Sequence, residues 1–435
     1  MRALIPLIFF IVVYLGVSIV AGDFYKVPIT VAFMLTSIVA VASSRGKLKK
    51  RVKVFTRGTA DHNLLLMIWI FILAGAFANS AKEMDSITDV VNLTLSIVPS
   101  NALLAGLFIA SALISISIGT SVGTIVALTP IAVGMANSLD FSVPMMTAIV
   151  VGGSFFGDNL SFISDTTVVA TQSQGVKMSD KFRTNIRIAL PAALLMVALY
   201  AYIGSDLVLL SELPPVNALK VMPYLVVLIA AAFGLNVLLV LCLGIALTGG
   251  VGLYCGDYDL YSWFSAMGKG ISGMSDLIII TMLAGGVLEV IRANGGIRYI
   301  MRGILKHVKS QRSAELGIAV LVCLVDMCTA NNTVAIITVS GIAKDISTKF
   351  HLDPKRVASI LDTFSCMMQG IIPYGAQLLM AAGLAACNPV DIMPYLYYPL
   401  TLGVCAIISI IINGMHHHSD LETALDEKKH LEAEY

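Results

Sequence analysis

Apolar residues run through this chain in long blocks, not in the spaced stripes of a soluble amphipathic helix. Stretches of the roughly 17 to 25 residues that a helix needs to cross a hydrocarbon core lie at 4–20, 27–43, 63–80, 101–117 and 188–206, and again at 237–254, 276–291 and 395–413. Between them, 119–137, 143–170, 222–235, 315–343 and 357–385 are also apolar but are interrupted by Gly, Ser, Thr, Asn and Asp. Together they predict about fourteen crossings, about seven in each half. The expected fold is an all-α polytopic membrane protein with broken or re-entrant helices. Composition agrees: 57% of the 435 residues are hydrophobic, 13% are charged and the mean hydropathy is +0.87, a balance that no water-soluble domain of this size carries on its surface. The apolar run after Met1 and Arg2 reads as an uncleaved first span, because the second half holds a similar segment where no signal could act.

The two halves resemble each other. An offset of about 210 residues aligns Leu73-Ala74-Gly75 with Leu283-Ala284-Gly285, Thr124 with Thr333, Thr129 with Thr338 and Ser154 with Ser365. Charge makes this weak likeness informative. The segment from Arg45 to Arg57 carries seven Lys or Arg and no acid, whereas its counterpart from Gly256 to Asp276 carries Lys269 alone. Three further pairs are opposed: 82–99 is acidic against a basic 292–312, 136–144 lacks the Lys344, Lys349, Lys355 and Arg356 of its partner, and 172–187 has Lys177, Lys181, Arg183 and Arg187 where 388–394 has none. Basic loops stay cytoplasmic, so corresponding loops lie on opposite membrane faces and the repeats are inverted. An odd number of crossings per half produces that inversion and places both termini in the cytoplasm. The expected organisation is a first repeat over 1–206, an extracytoplasmic linker over 207–221, a second repeat over 222–413 and a cytoplasmic tail over 414–435. Inverted repeats are the architecture that alternating access requires, and a secondary transporter is the class they indicate.

Several other classes are excluded or disfavoured. The net charge of +1 offers no basic surface for nucleic acid. The seven cysteines form no CxxC pair, so neither a metal cluster nor a disulfide framework is expected. The GxxxxG spacings at Gly119 and Gly152 have no following Lys, which argues against a phosphate loop, and there is no HExxH or Ser/His arrangement within the spans, which argues against an enzyme. His416, His417 and His418 read as part of a solvated tail, and His62 as ordinary surface. Gly75, Gly285 and Gly286 are assigned to helix packing. No cofactor is expected, and the lipid bilayer is the first partner implied.

The chemistry belongs in the interruptions, where freed backbone groups and helix ends meet ions. They read Gly119-Thr-Ser-Val-Gly-Thr124 and Gly152 to Thr167 in the first half, and Cys328-Thr-Ala-Asn-Asn-Thr333 and Asp362 to Gly375 in the second. Ionisable groups inside membrane helices are costly unless paired or liganded, so Asp158, Asp165 and Asp362 are the principal candidates. Asp158 and Asp165 would share a helical face or, if the chain unwinds between them, approach one cavity from different directions. Asn159, Ser161, Ser164, Thr166, Thr167, Asn331, Asn332 and Thr333 surround them with oxygen ligands suited to a hard monovalent cation, joined by Thr120, Thr124 and Ser365 at the paired breaks. A carboxylate that holds either a proton or a share of Na⁺, never both, suffices for exchange. Asp326, Glu289 and Glu315 lie nearer helix ends or basic loops and are read as structural or interfacial. No Arg falls within a clear span, which favours a cation over an organic anion as substrate, although exposed helix N-termini alone could hold a carboxylate.

Gly119–Thr124 is similar to the GTSWGT signature, and Gly157–Thr167 to the GDKLSPLSDTT motif, of NhaC-type sodium/proton antiporters; eight of the eleven positions of the longer motif match. Ile372-Pro373-Tyr374 resembles the IPW element of that family and Ile360-Leu361-Asp362 its LED stretch, so the likeness spans nearly the whole chain. It implies Na⁺/H⁺ exchange with Asp158, Ser161, Asp165, Thr166 and Asp362 as ion and proton ligands. It also implies an elevator-type movement of one domain against a scaffold, residence in a bacterial inner membrane and, by analogy with elevator transporters, a homodimer. Relatives that exchange organic anions such as malate and lactate keep an organic-anion or amino-acid exchanger as the alternative. Val122, Asn159 and Phe162 stand where the signatures have Trp, Lys and Pro, and the lost Lys removes a fixed cation beside Asp158.

Overall fold

A computed structural model describes residues 2–16, 28–162, 164–207, 215–233, 235–306 and 308–412. The histidine triplet and tail, residues 208–214 of the linker and the end of the first span lie outside them. Every regular element among the described residues is helical, as bilayer crossing demands when no water is present to satisfy a stray backbone group. The first half contains α1 (Ile5–Ile11), α2 (Ile29–Ser43), α3 (Leu48–Thr59), α4 (His62–Glu83), α5 (Ser86–Ile97), α6 (Leu103–Ile118), α7 (Ser121–Ser138), α8 (Val143–Leu160), α9 (Asp165–Gln174) and α10 (Met178–Ile203).

The second half repeats the series as α11 (Ala218–Ala232), α12 (Val237–Cys255), α13 (Leu260–Gly273), α14 (Ser275–Ala293), α15 (Gly296–Leu305), α16 (Gln311–Thr329), α17 (Asn332–Phe350), α18 (Pro354–Gln369) and α19 (Ala376–Ala385). A short α20 (Pro389–Ile392) then leads to α21 (Tyr397–Ile412), the counterpart of α10.

The expected crossings, about fourteen, are distributed over helices of very different length. Among the described residues six helices are long and apolar enough to cross alone, or seven if Ala376–Ala385 and Pro389–Tyr395, bent by 98°, form one broken span. The remaining apolar helices, such as α2, α6 and α21, are 10–17 residues long. Several segments read as loops or single spans also resolve differently. The basic stretch after Arg45 is the helix α3, its counterpart is α13, and 315–343 is shared between two helices, α16 and α17, joined at Ala330-Asn331. Hydropathy measures the apolarity of a segment and is blind to where the backbone turns.

The halves interlock through α3 and α13. Helix α3 packs on α14 of the other half, as α13 packs on α4. A Cβ on Gly58 would overlap the carbonyl oxygen of Gly285, and one on Gly75 would overlap that of Gly270. Glycine at these four positions therefore permits two matching backbone crossings that no other residue allows. The short half-helices also cross over: α9 packs on α17, and α19 on α7. The second halves of both broken segments thus lie where the repeats meet.

Candidate functional site

Helices α6 and α8 approach closely because α8 presents glycines to α6. A Cβ on Gly153 would lie 2.5 Å from the Phe108 carbonyl oxygen, and one on Gly157 would lie 2.6 Å from that of Ala112. The glycines of Gly152–Gly157 therefore serve packing while the helix continues through them; the break comes after Leu160. Helix α8 delivers Asp158 and Asn159 in its last turn, both buried.

Asp158 is bracketed by hydroxyls. Ser121, in the first turn of α7, donates to Oδ2 at 2.9 Å, and Ser164, the N-cap residue of α9, donates to Oδ1 at 2.5 Å. The Ser164 and Thr166 hydroxyls are 2.8 Å apart. The chain of contacts extends into the second repeat: Gln377 of α19 donates to Ser121 Oγ at 3.2 Å, and Gln369 donates to Gln377 at 2.7 Å and to the Ala330 carbonyl at 3.1 Å. Asp158 lines a cavity of about 120 Å³ with Thr120, Ser164, Asp165, Thr166, Asn331, Asn332 and Thr333. The breaks of both repeats thus share one cavity. Asp165 lines it from the first turn of α9 and is exposed, so the two carboxylates approach one space from different helices.

Four helix N-termini surround this space: those of α7, α9, α17 and α19. Thr120, Ser164 and Gly375, the N-cap residues of α7, α9 and α19, make no side-chain cap bond. Backbone N–H groups left over at these termini give the cavity a positive edge. At α17 the Asn331 side chain caps Val334 N at 3.0 Å, so its oxygen is already engaged.

A second cluster lies outside this lining. Asp362, in the middle of α18, is ion-paired with Lys181 of α10 at 2.6 Å, both side chains being at most 1% exposed. Asn159 and Asn185 each donate to the same carboxylate oxygen at 3.0 Å. Lys181 also donates to Thr167 Oγ1 at 2.7 Å and to the Asn159 carbonyl. A buried pair needs such additional hydrogen bonds to offset desolvation. The cluster ties α10 and the carbonyl end of α8 to α18.

The expected site therefore divides. Thr120, Asp158, Asp165, Thr166, Asn331, Asn332 and Thr333 meet at the cavity, while Asn159, Thr167 and Asp362 belong to the ion-paired cluster. The hydroxyls of Thr124, Ser161 and Ser365 bond to backbone carbonyls of Thr120, Ile116 and Asp362 and do not line the cavity. Lys181 and Asn185 were missed because Lys181 sits in a run of basic residues that reads as a cytoplasmic loop. A signal existed: the buried face of α10 runs Lys181, Asn185, Ile188, Ala189, Ala192, Met196 and Tyr200 at helical spacing, whereas Arg183 and Arg187 are exposed. Lys181 thus places a buried cation, from another helix, against the Asn159 carbonyl.

Paired breaks from two interlocked repeats, closing on one small polar cavity with a buried carboxylate, define a secondary transporter built from inverted repeats. A model of the Na⁺/H⁺ antiporter family matches residues 3–205 and 212–415. The chain belongs to that family. It is 24% identical over 389 residues to the Na⁺/H⁺ antiporter NhaC of Bacillus subtilis (strain 168), covering 80% of this chain and 83% of that protein. It is also 23% identical to the malate-2H⁺/Na⁺-lactate antiporter of the same organism, over 71% of this chain and 73% of that one. A crystal structure of the YdaH transporter of Alcanivorax borkumensis aligns with a TM-score of 0.43 at 11% identity, over 80% of this chain and 85% of that chain.

Proposed function

We propose that this chain exchanges Na⁺ for protons by alternating access, with Asp158 as the carboxylate that the two ions share. The observation that carries this reading is the placement of Asp158: a buried carboxylate held by two hydroxyls, on a cavity lined by the breaks of both repeats. A hard cation takes oxygen ligands, and Asp158, Ser121, Ser164 and Thr166 offer four oxygens from three helices. A bound cation lowers the proton affinity of a ligating carboxylate. Na⁺ arrival therefore expels the proton, and Na⁺ departure invites one back. The Lys181–Asp362 pair does not face the cavity; it fixes the Asn159 carbonyl and so positions the end of α8 that carries Asp158.

The wider reading follows from the same features. Opposed charges on corresponding segments support cytoplasmic termini in a bacterial inner membrane, with the repeats divided near 207–221. The crossing of α9 and α19 into opposite repeats supports an elevator-type movement, for which a homodimer is the usual scaffold. Na⁺ and H⁺ are then substrates, and transport is the chain's activity in place of catalysis.

One observation favours a second reading. Four converging helix N-termini suit an organic carboxylate as well as they tolerate Asp158 and Asp165, and one relative is described as exchanging malate for lactate. Everted membrane vesicles carrying a pH-sensitive dye separate the two. The exchange reading expects Na⁺-driven dequenching from this chain and none from Asp158→Asn. Counterflow of labelled malate, lactate or an amino acid, with no response to Na⁺ alone, would establish the second reading instead.

A further inference from the structure

We propose that the cavity between the end of α2 and the α14–α15 turn binds a phosphate group at the membrane interface, brought by the headgroup of an anionic phospholipid. The cavity encloses about 390 Å³, within the range of about 300–1,000 Å³ usual for ligand pockets. Arg45, Arg298 and Arg302 line it together with Asn294 and Tyr299, and no Asp or Glu does. None of the three arginines forms an ion pair among the described residues. The adjoining chain supplies no acid either: 45–59 and 292–312 contain Lys and Arg but neither Asp nor Glu. Three like charges lining one space repel one another until an anion lies between them. The guanidinium fork matches the oxygens of a phosphate two at a time.

The walls that carry the arginines are fastened in place. Asn294 donates to Ser44 Oγ at 2.9 Å and to the Val290 carbonyl at 2.8 Å, which ties the end of α14 to the residue that ends α2. Arg51 of α3 donates to the Gly46 carbonyl at 2.6 Å and to the Ala42 carbonyl at 2.9 Å, closing the corner that holds Arg45. Gly295, at φ 80, turns the chain from α14 into α15. Arg298 and Arg302 then follow four residues apart, on one face of α15. Arg45 belongs to the first repeat and the other two to the second, so a phosphate held by all three would bridge the repeats. No residue of this cavity lines the Asp158 cavity.

The surroundings favour a lipid over a soluble phosphate. Helix α15 is amphipathic: Ile297 is buried while Arg298, Tyr299 and Arg302 are exposed. A short helix of this kind lies in the plane of the membrane interface, and an exposed Tyr sits well at headgroup depth. Helices α1 and α2, whose ends form part of the wall, leave Ile5, Ile8, Met34 and Ile38 exposed. Acyl chains can lie along these apolar faces while the headgroup phosphate meets the arginines. The basic bias of both flanking segments marks this face as cytoplasmic, where basic pockets between membrane helices hold anionic headgroups.

Binding to the purified full chain in detergent tests this, with native mass spectrometry to count bound lipid and thermal unfolding to read stabilisation. The probes are phosphatidylglycerol, zwitterionic phosphatidylcholine and inorganic phosphate. Wild type is expected to retain phosphatidylglycerol in preference to phosphatidylcholine and to unfold at a higher temperature with it. Arg298→Gln combined with Arg302→Gln should weaken phosphatidylglycerol binding at least tenfold. Lys47→Gln combined with Lys49→Gln removes the same charge from exposed residues outside the cavity and should change it less than threefold. Arginine-dependent stabilisation by inorganic phosphate, with no preference for phosphatidylglycerol, would retain the phosphate site and overturn the lipid as its source. Equal losses in the two double variants, or no arginine-dependent binding of any probe, would overturn the site itself. None of these readouts involves Na⁺ or proton flux, so failure here and failure of the exchange reading are separate results.

Discussion

Four residues beyond the paired serines Ser154 and Ser365, the first repeat carries Asp158 and the second carries Gln369. Each connects its helix to the half-helix that follows: Asp158 accepts from Ser164 at the start of α9, and Gln369 donates to Gln377 in α19. The backbone plan is shared, but one break ends in a carboxylate and the other in a neutral amide. Pseudo-symmetry thus supplies a cavity lined by both repeats, while its buried carboxylate is placed on one side of it. In the proposed exchange a cation there would be balanced by Asp158 and Asp165 of the first repeat, the second lining the cavity with helix termini and amides.

The sharpest way to break this comparison is to move the carboxylate across it. Asp158→Asn is expected to reduce Na⁺-driven proton flux by more than about 100-fold, as loss of a primary ion ligand does, while Na⁺ no longer raises the thermal stability of the purified protein. Adding Gln369→Glu places an acid at the mirror position. Flux should stay absent, because Gln369 is flanked by Gln377 and the Ala330 carbonyl in place of the Ser164 and Thr166 hydroxyls. Recovered flux in the double variant, measured in vesicles with a pH dye, would mean that the two breaks are interchangeable.

The ion-paired cluster gives the next largest effect. Asp362→Asn leaves Lys181 charged and buried without its partner, which is expected to cost about 3–5 kcal/mol of stability, read as a lowered midpoint of thermal unfolding in detergent. Lys181→Met combined with Asp362→Leu removes both charges and should regain most of that loss. Should the double variant also recover full transport, the pair would be a fastening alone; transport that stays low in a stable protein would show that it sets the position of Asp158.

How much of this was legible in the sequence depended on whether a feature was local. The inverted repeat was readable because charge bias is a property of segments, and Asp158 with Asp165 was readable because a polar motif in an apolar run stands out against its own neighbours. Asp362 was found but its partner was not: Lys181 acquires meaning from a helix that lies far along the chain, and its basic neighbours Arg183 and Arg187 disguised it. Asp326 was read as structural or interfacial from its place near a helix end; it lies buried in the last turn of α16, before a two-residue link to α17. The oxygen count around the cavity was overestimated for the same reason. Thr124, Ser161 and Ser365 have suitable hydroxyls, and nothing in their spacing reveals that each is spent on a carbonyl within or beside its own helix.

The smallest effect distinguishes two N-termini that line the cavity, those of α7 and α17. Thr120 makes no side-chain cap bond, whereas Asn331 caps Val334 N. Thr120→Ala should therefore leave stability nearly unchanged, and Asn331→Ala should lower it by about 1 kcal/mol, the usual value of an N-cap. Thermal unfolding compared in the absence of Na⁺ measures this difference. Equal losses would mean that Thr120 also caps its helix and that the α7 terminus is closed. The predicted inequality leaves the α7 amides free to meet a bound ion's counter-charge or a substrate carboxylate, whereas at α17 the Val334 amide is already committed to Asn331.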